Sequence, residues 1–393
     1  MTPSRPLPTA VARALGALWA LVALAAVPAA VRVGEGGPAP ARAPRVVLVV
    51  LGGGVRAADV LGRADLTPTV RGIAQAGFGA DGWAVGGADP VDATEAVLTG
   101  RDVAVETPGR VRPRWPTLME AVRRGLSLAP TDVWYASFAD GEALELAASD
   151  HPDHGARFAP SLAVGDGPFG EPLRPLFALY GRPNPTAPRA WELLAGLRGA
   201  SSVEAARRLG VPVDGKGAAE ALRVERALLE EVDRRSRDLA GPAALDVRAL
   251  RGAVSVLRLF RPRLVVVRLG QADVASKDLY AYWDVLKRVD AELARLRAAV
   301  AEDPELRATT NLVVVGDLGR DAQQNAAGGY GRSDGSPDQT RTFCVGVGPG
   351  LRKGASPRGK RAARDVAPTL AALLGASMPT AEGAVLDELL APR

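Results

Sequence analysis

The hydrophobic positions of this chain form short apolar runs separated by longer stretches with helical spacing. Residues 46–51 read Val-Val-Leu-Val-Val-Leu and contain no polar position. Similar runs occupy residues 132–138, 264–269 and 312–316. A strand without a polar face is covered on both sides, as in a parallel sheet between two helical layers. The pattern therefore predicts a doubly wound α/β fold, with a mostly parallel sheet and helices on both faces.

Two helical segments refine this prediction. Thr67 precedes Pro68 as a helix N-cap, the helix extends to Gly77, and a short strand follows at residues 78–85, so the domain begins with a βαβ unit. From about residue 184 to residue 261 the composition changes to Ala, Leu, Arg and Glu with helical spacing. We expect a helical insertion or cap there, with its charged residues on a solvated face.

The N-terminal residues 1–32 have the pattern of an export segment. No charged residue lies in 14–31, and two arginines precede this apolar stretch. Its length and the sequence Pro28-Ala29-Ala30 are compatible with a cleaved signal peptide or with an inner-membrane anchor, and both remain open. Residues 33–44 are a Pro, Gly and Ala linker, so the domain is predicted for residues 45–393, in the periplasm or another extracytoplasmic space.

Charge content argues against a nucleic-acid-binding protein, and cysteine content excludes a disulfide-bonded one. The 49 Lys and Arg residues exceed the 44 Asp and Glu residues by five, but they are spread along the chain. Nucleic-acid binding is disfavoured because it requires a clustered basic surface. The single cysteine, Cys344, excludes an intramolecular disulfide, and its apolar neighbours predict a core position in a strand.

Residues that could take part in catalysis or ligand binding follow the predicted strands in a particular order. The order is Gly53-Gly54-Val-Arg56 with Asp59, then Thr94 to Gly100, then Asp273 to Lys277 after the strand 264–269, and finally Asp317-Leu-Gly319. In order and spacing, residues 44–393 resemble the alkaline phosphatase superfamily, especially its sulfatase-like and phosphodiesterase-like branches. The resemblance implies two divalent metals that clamp a phosphate or sulfate ester while a Ser, Thr or formylglycine attacks.

Most metal-ligand positions implied by this resemblance carry other residues. The substituted positions are Gly53 (or Gly52 if the alignment slips), Lys277, Leu318 and Tyr330. Only Asp273 and Asp317 keep a carboxylate. Lys277 is expected either to replace the lost cation beside a carboxylate or to form a salt bridge at a helix start. The sequence thus predicts a vestigial metal site.

The nucleophile position is also substituted, because it falls at Pro90, which cannot attack. Asp89 lies beside it and would imply a different chemistry. Thr94 is the nearest hydroxyl, and its position near a helix start favours a capping role. None of these three residues is assigned as the catalytic nucleophile.

Two other sites are possible from local motifs. His151 and His154, the only histidines, lie in one loop with two aspartates and would bind zinc if a third ligand came from elsewhere; a solvated turn is the alternative. Gly52, Gly54 and Ala57 also fit a dinucleotide-binding fingerprint. The remaining sequence lacks the Rossmann order and a clear acidic partner, which argues against that motif.

These observations predict an exported or membrane-anchored protein that binds or scaffolds and does not hydrolyse esters. No cofactor is expected, no partner is indicated, and a membrane would be contacted only through the N-terminal segment. The alternative is an atypical phosphate- or sulfate-ester hydrolase that holds one divalent ion (Mg²⁺, Ca²⁺ or Zn²⁺) on Asp273 and Asp317 alone.

Overall fold

The computed structural model of the chain describes residues 43–87, 89–103, 112–137, 145–164, 243–332, 336–355, 357 and 360–392. The apolar segment 14–31, nearly all of the linker and the predicted insertion up to residue 242 lie outside these ranges. Within the described ranges, every helix is too short or too polar to span a bilayer.

The described residues form a seven-stranded sheet. Its strands are β1 (Arg45–Leu51), β2 (Phe78–Ala84), β3 (Val133–Ser137), β4 (Ser161–Val164), β5 (Leu264–Leu269), β6 (Thr310–Gly316) and β7 (Arg341–Val347). They lie in the order β2-β7-β6-β1-β5-β3-β4. Only β7 pairs antiparallel with its neighbours, so the other six strands run in one direction. The predicted mostly parallel sheet is confirmed.

Helices cover both faces of this sheet. They are α1 (Ala57–Gly62), α2 (Pro68–Ala76), α3 (Pro90–Thr99), α4 (Leu118–Gly125), α5 (Ala244–Phe260), α6 (Leu279–Glu302), α7 (Pro304–Thr309) and α8 (Val366–Leu374). Val47 and Val49 of β1 pack toward α2, α5 and α6, whereas Leu48 and Val50 pack toward α3, α4 and α8. Because both faces are buried, β1 needs apolar residues at every position.

The helix α5 is the described end of the predicted insertion. Its residues Leu250, Ala253 and Leu257 are buried in the core beside β5 and α6. These positions follow helical spacing, so one face of α5 is apolar. This part of the segment belongs to the helical layer that covers the sheet.

The first turn of helix α2 is stabilised by a residue from a distant part of the chain. Thr67 is the N-cap residue as predicted, but its hydroxyl donates to the carbonyl of Val60 at 2.6 Å. The carboxylate of Asp290, on α6, accepts hydrogen bonds from the amides of Thr69 and Val70, both at 2.9 Å. A residue some 220 positions away thus satisfies the free amides of this helix start.

Candidate functional site

Three turns meet at the carboxyl-end edge of the sheet. Leu51 lies opposite both Leu269 and Gly316 in the strand register. The turns that follow β1, β5 and β6 therefore emerge side by side at residues 52–56, 270–273 and 317–320. In open parallel sheets, ligands bind outside this end of the strands. The edge brings together Gly53, Asp273, Asp317, Leu318 and, from a later loop, Tyr330.

The carboxylate of Asp317 is buried and surrounded by backbone amides. It accepts hydrogen bonds from Gly53 N at 2.8 Å, Gly54 N at 3.1 Å and Leu318 N at 2.6 Å. Burial raises the pKa of Asp317 to about 6, although these amides and the charge of Arg268 oppose the shift. Both oxygens of this carboxylate are therefore already used within the fold.

The turn after β1 packs directly on the turn after β5. Gly53 has a φ of +90°, and a Cβ built there would lie 2.7 Å from Asp273 N and 2.7 Å from Gly270 O. A Cβ at Gly52 would lie 2.3 Å from the Leu269 carbonyl oxygen. No side chain fits at either position without moving backbone. The space available to a ligand residue at these two positions is filled by the β5 turn.

An arginine that sequence reasoning missed lies between these turns. The side chain of Arg320 is completely buried. Its nitrogens donate to the carbonyl oxygens of Gly53, Gly54 (2.7 Å), Tyr330 (2.8 Å) and Asp273 (3.3 Å), and to Asp273 Oδ1 (2.9 Å). Arg332 lies 3.3 Å from the same Oδ1. Arg320 follows directly after Asp317-Leu-Gly319, so a charged residue beside the remaining carboxylate was the available signal.

The predicted role of Lys277 is wrong. Lys277 is exposed, and it forms no ion pair with any described residue. The cations beside Asp273 are Arg320 and Arg332. Lys277 caps the short 3₁₀ helix at residues 271–276 through its amide, which donates to Val274 O at 2.9 Å.

The other two substituted positions are apolar or aromatic packing sites. Leu318 is fully buried, and its carbonyl accepts from Val55 N at 2.9 Å. The Tyr330 ring stacks under Arg56, whose guanidinium carbon is 4.1 Å from the ring centroid, and meets the Tyr282 ring edge-on at 6.3 Å. Both side chains pack against neighbouring residues at the carboxyl-end edge of the sheet.

At the nucleophile position, Asp89 and Pro90 begin α3. Asp89 is the N-cap, and its Oδ1 accepts from Val91 N at 2.7 Å and Asp92 N at 2.9 Å. The predicted capping role of Thr94 is therefore wrong. Thr94 lies one turn inside the helix, fully buried, with its hydroxyl oxygen 3.5 Å from Nε of Arg268. Helices often start with an Asp-Pro pair, so the local sequence already indicated that Asp89 caps this helix.

Arg268 and Asp246 form a second buried charged group that the sequence analysis did not identify. Arg268 occupies the end of β5, where it is only 5% exposed. Asp246, on α5, accepts from Gly270 N and Gln271 N, both at 3.0 Å. Burial raises the pKa of Asp246 to about 7, against the influence of these amides and Arg268. An arginine in a strand covered on both faces was the sequence signal.

The two histidines lie away from this edge. His154 precedes β4, whose start pairs with the start of β3, so the loop lies toward the amino ends of the strands. The Nδ1 atoms of His151 and His154 are 3.4 Å apart, and a nitrogen of Arg124 is 3.3 Å from His154. Burial, together with Arg124, lowers the pKa of His154. Among the described residues no group of three or more His, Cys, Asp or Glu side chains is arranged to hold a metal.

Comparison with protein-family models finds no match, and no curated protein matches the sequence. Solved structures match in fold. A putative sulfatase from Bacteroides thetaiotaomicron is 13% identical with a TM-score of 0.54, over 87% of this chain and 73% of that one. A 2-O GAG sulfatase is 13% identical with a TM-score of 0.53, over 88% and 73%. The chain therefore has the α/β fold of these structures, an alkaline phosphatase-like fold.

The residues at the carboxyl edge of this alkaline phosphatase-like fold do not fit a two-metal centre. Three of the about four lone-pair positions of the Asp317 carboxylate already accept backbone amides, so little acceptor capacity remains for a metal. The position of Gly53 admits no side chain, and a buried guanidinium lies against Asp273. A positive charge at this point repels a second cation.

Proposed function

We propose that this protein is an exported or membrane-anchored member of the alkaline phosphatase-like fold that binds or scaffolds and does not hydrolyse phosphate or sulfate esters. The proposal depends mainly on the hydrogen bonds that the buried carboxylate of Asp317 accepts. Its carboxylate accepts hydrogen bonds from three backbone amides at 2.6–3.1 Å. It serves as an anchor for the turn after β1.

The energetics favour this structural role over metal binding. Hydrogen bonds to a charged group contribute about 1.5–3 kcal/mol each. A metal on Asp317 would compete for oxygens that already accept these amides, and each hydrogen bond that it displaced would leave a buried amide without a partner. The cation would also meet the guanidinium of Arg320, which already lies against the other carboxylate, Asp273. Both carboxylates are thus engaged by the protein itself.

The surroundings of the three described nucleophile candidates support the same conclusion. Pro90 has no reactive group, and the carboxylate of Asp89 caps α3. The Thr94 hydroxyl is buried in the helix beside a cationic guanidinium, and no described base contacts it. Activation of a hydroxyl requires an adjacent base or a metal.

Metal content and esterase activity of the purified full chain test the proposal. We expect substoichiometric metal by mass spectrometry and no hydrolysis of aryl phosphate or aryl sulfate esters with added Mg²⁺, Mn²⁺, Ca²⁺ or Zn²⁺. Asp317→Asn and Asp273→Asn are the matched controls, and all three proteins should give the same background rate. Stoichiometric metal with turnover that disappears in Asp317→Asn would refute the proposal and favour the single-metal hydrolase.

Export is tested separately by fractionating bacteria that produce the full chain with a C-terminal tag. We expect the tagged protein in the periplasmic or membrane fraction, because residues 14–31 carry no charge and follow two arginines. Recovery in the cytosol alone would contradict this part of the proposal.

A further inference from the structure

We propose that Arg320 is a built-in replacement for a metal ion, whose guanidinium fixes the three turns at the carboxyl edge and makes the fold independent of divalent cations. The inference rests on the proposed function in one respect, since it requires that no metal centre forms at this edge. It adds an identified residue and a structural role to that proposal.

The groups around the Arg320 guanidinium are the kind that bind a hard cation. Five oxygens accept from it: the carbonyls of Gly53, Gly54, Tyr330 and Asp273, and the Oδ1 of Asp273. Carbonyl and carboxylate oxygens are the usual ligands of Ca²⁺ and Mg²⁺ in proteins. We name these five oxygens the oxygen cradle. Its occupant is the protein's own side chain.

The cradle joins segments that are distant in sequence. Gly53 and Gly54 follow β1, Asp273 follows β5, and Tyr330 lies in the loop after β6. Arg320 itself belongs to the turn after β6, next to the buried Asp317. A single planar side chain thus cross-links all three turns, because its donors point in several fixed directions. A metal ion at the ends of parallel strands would join them in the same way.

The Arg320 guanidinium lies in the interior of the protein. Its side chain has no exposed surface, whereas that of its partner Asp273 is 54% exposed. A buried charge is tolerated only when its donors are paired, and here Nε, Nη1 and Nη2 all donate. Removal of the guanidinium would take this donor from the carbonyl oxygens of Gly53, Gly54 and Tyr330, whereas the carboxylate of Asp273 would keep Arg332.

Thermal unfolding of the full chain tests the inference. We expect the Tm of the wild type to be unchanged by EDTA and by added Ca²⁺ or Mg²⁺. Arg320→Ala should lower the Tm by roughly 5–10 °C, as expected when buried carbonyl oxygens lose their donor and a cavity remains in a chain of this size. Arg352→Ala is the matched control, because Arg352 is exposed and makes no side-chain hydrogen bond to a described residue. Equal Tm values for the two variants would overturn the inference.

Chemical rescue gives the decisive readout. Guanidinium chloride at low millimolar concentration, far below denaturing levels, should raise the Tm of Arg320→Ala but not that of Arg352→Ala, with sodium chloride as the ionic-strength control. A lack of rescue would overturn the inference. Arg320→Lys serves if the alanine variant does not fold: a Tm equal to wild type would show that charge alone suffices, against the proposed cross-link.

The two proposals fail differently. A wild-type Tm that rises with a divalent metal would contradict the absence of a metal centre, whatever the Arg320 variants do. Loss of guanidinium rescue in a metal-free protein would contradict only the role of Arg320.

Discussion

Replacing Gly53 by alanine should destabilise the protein by about 2–5 kcal/mol. Gly53 has a φ of +90°, and the left-handed backbone costs a residue with a Cβ about 1–2 kcal/mol. The new Cβ would also lie 2.7 Å from Asp273 N and Gly270 O, which are backbone atoms and move only with their turn. Forcing an extra carbon into a packed region costs about 1–3 kcal/mol.

The control for this substitution is Gly375→Ala. Gly375 has a φ of +88°, is exposed, and has no atom within 4 Å of a built Cβ. It therefore reports the backbone cost alone, about 1–2 kcal/mol. The free energy of unfolding of both variants is measured by urea denaturation with tryptophan fluorescence. Equal losses for Gly53→Ala and Gly375→Ala would refute the close packing of the β1 turn against the β5 turn.

Two further substitutions test the buried carboxylates. Burial raises the pKa of Asp246 to about 7, so the folded state holds this proton more tightly than the unfolded chain, and stability should fall as pH rises from about 4 to 7. Urea denaturation across this range should show a weaker decline for Asp246→Asn, and parallel profiles would contradict the assignment. Asp290→Ala should lose about 1–2 kcal/mol of unfolding free energy, because its carboxylate accepts the first amides of α2. The same measurement on Asp284→Ala, a partly exposed i,i+4 partner of Arg288, should give a loss of about 0.3–0.5 kcal/mol, and an equal loss for the two would count against capping.

The class of fold and the position of the site were predictable because they depend on local patterns. Continuous apolar runs at β1, β5 and β6 require cover on both faces, which places these strands in the middle of a sheet between helices. The residues after them must then share one edge. For the same reason the sequence correctly placed Cys344 in the core of a strand, where it is buried in β7.

The chemistry of the site was not predictable in the same way. Spacing alone suggested Lys277 as the substitute cation, but a side chain's direction depends on the turn that carries it. Arg320 lies against Gly53 and Asp273 only because three turns from distant parts of the chain meet. Such contacts span about 270 and 50 residues, beyond the reach of any local period.

By itself, then, the sequence determined that β1, β3, β5 and β6 are buried strands, that helices cover both faces of their sheet, and that Asp273 and Asp317 follow the ends of β5 and β6. These features follow from the spacing of apolar residues along the chain, because strands and helices bury their apolar positions with different periods. The tertiary structure alone decided that Asp317 is bound by backbone amides and that a guanidinium joins the three turns. A hydrogen bond requires its donor and acceptor to lie close together, and these groups come from turns that are adjacent only in the assembled sheet.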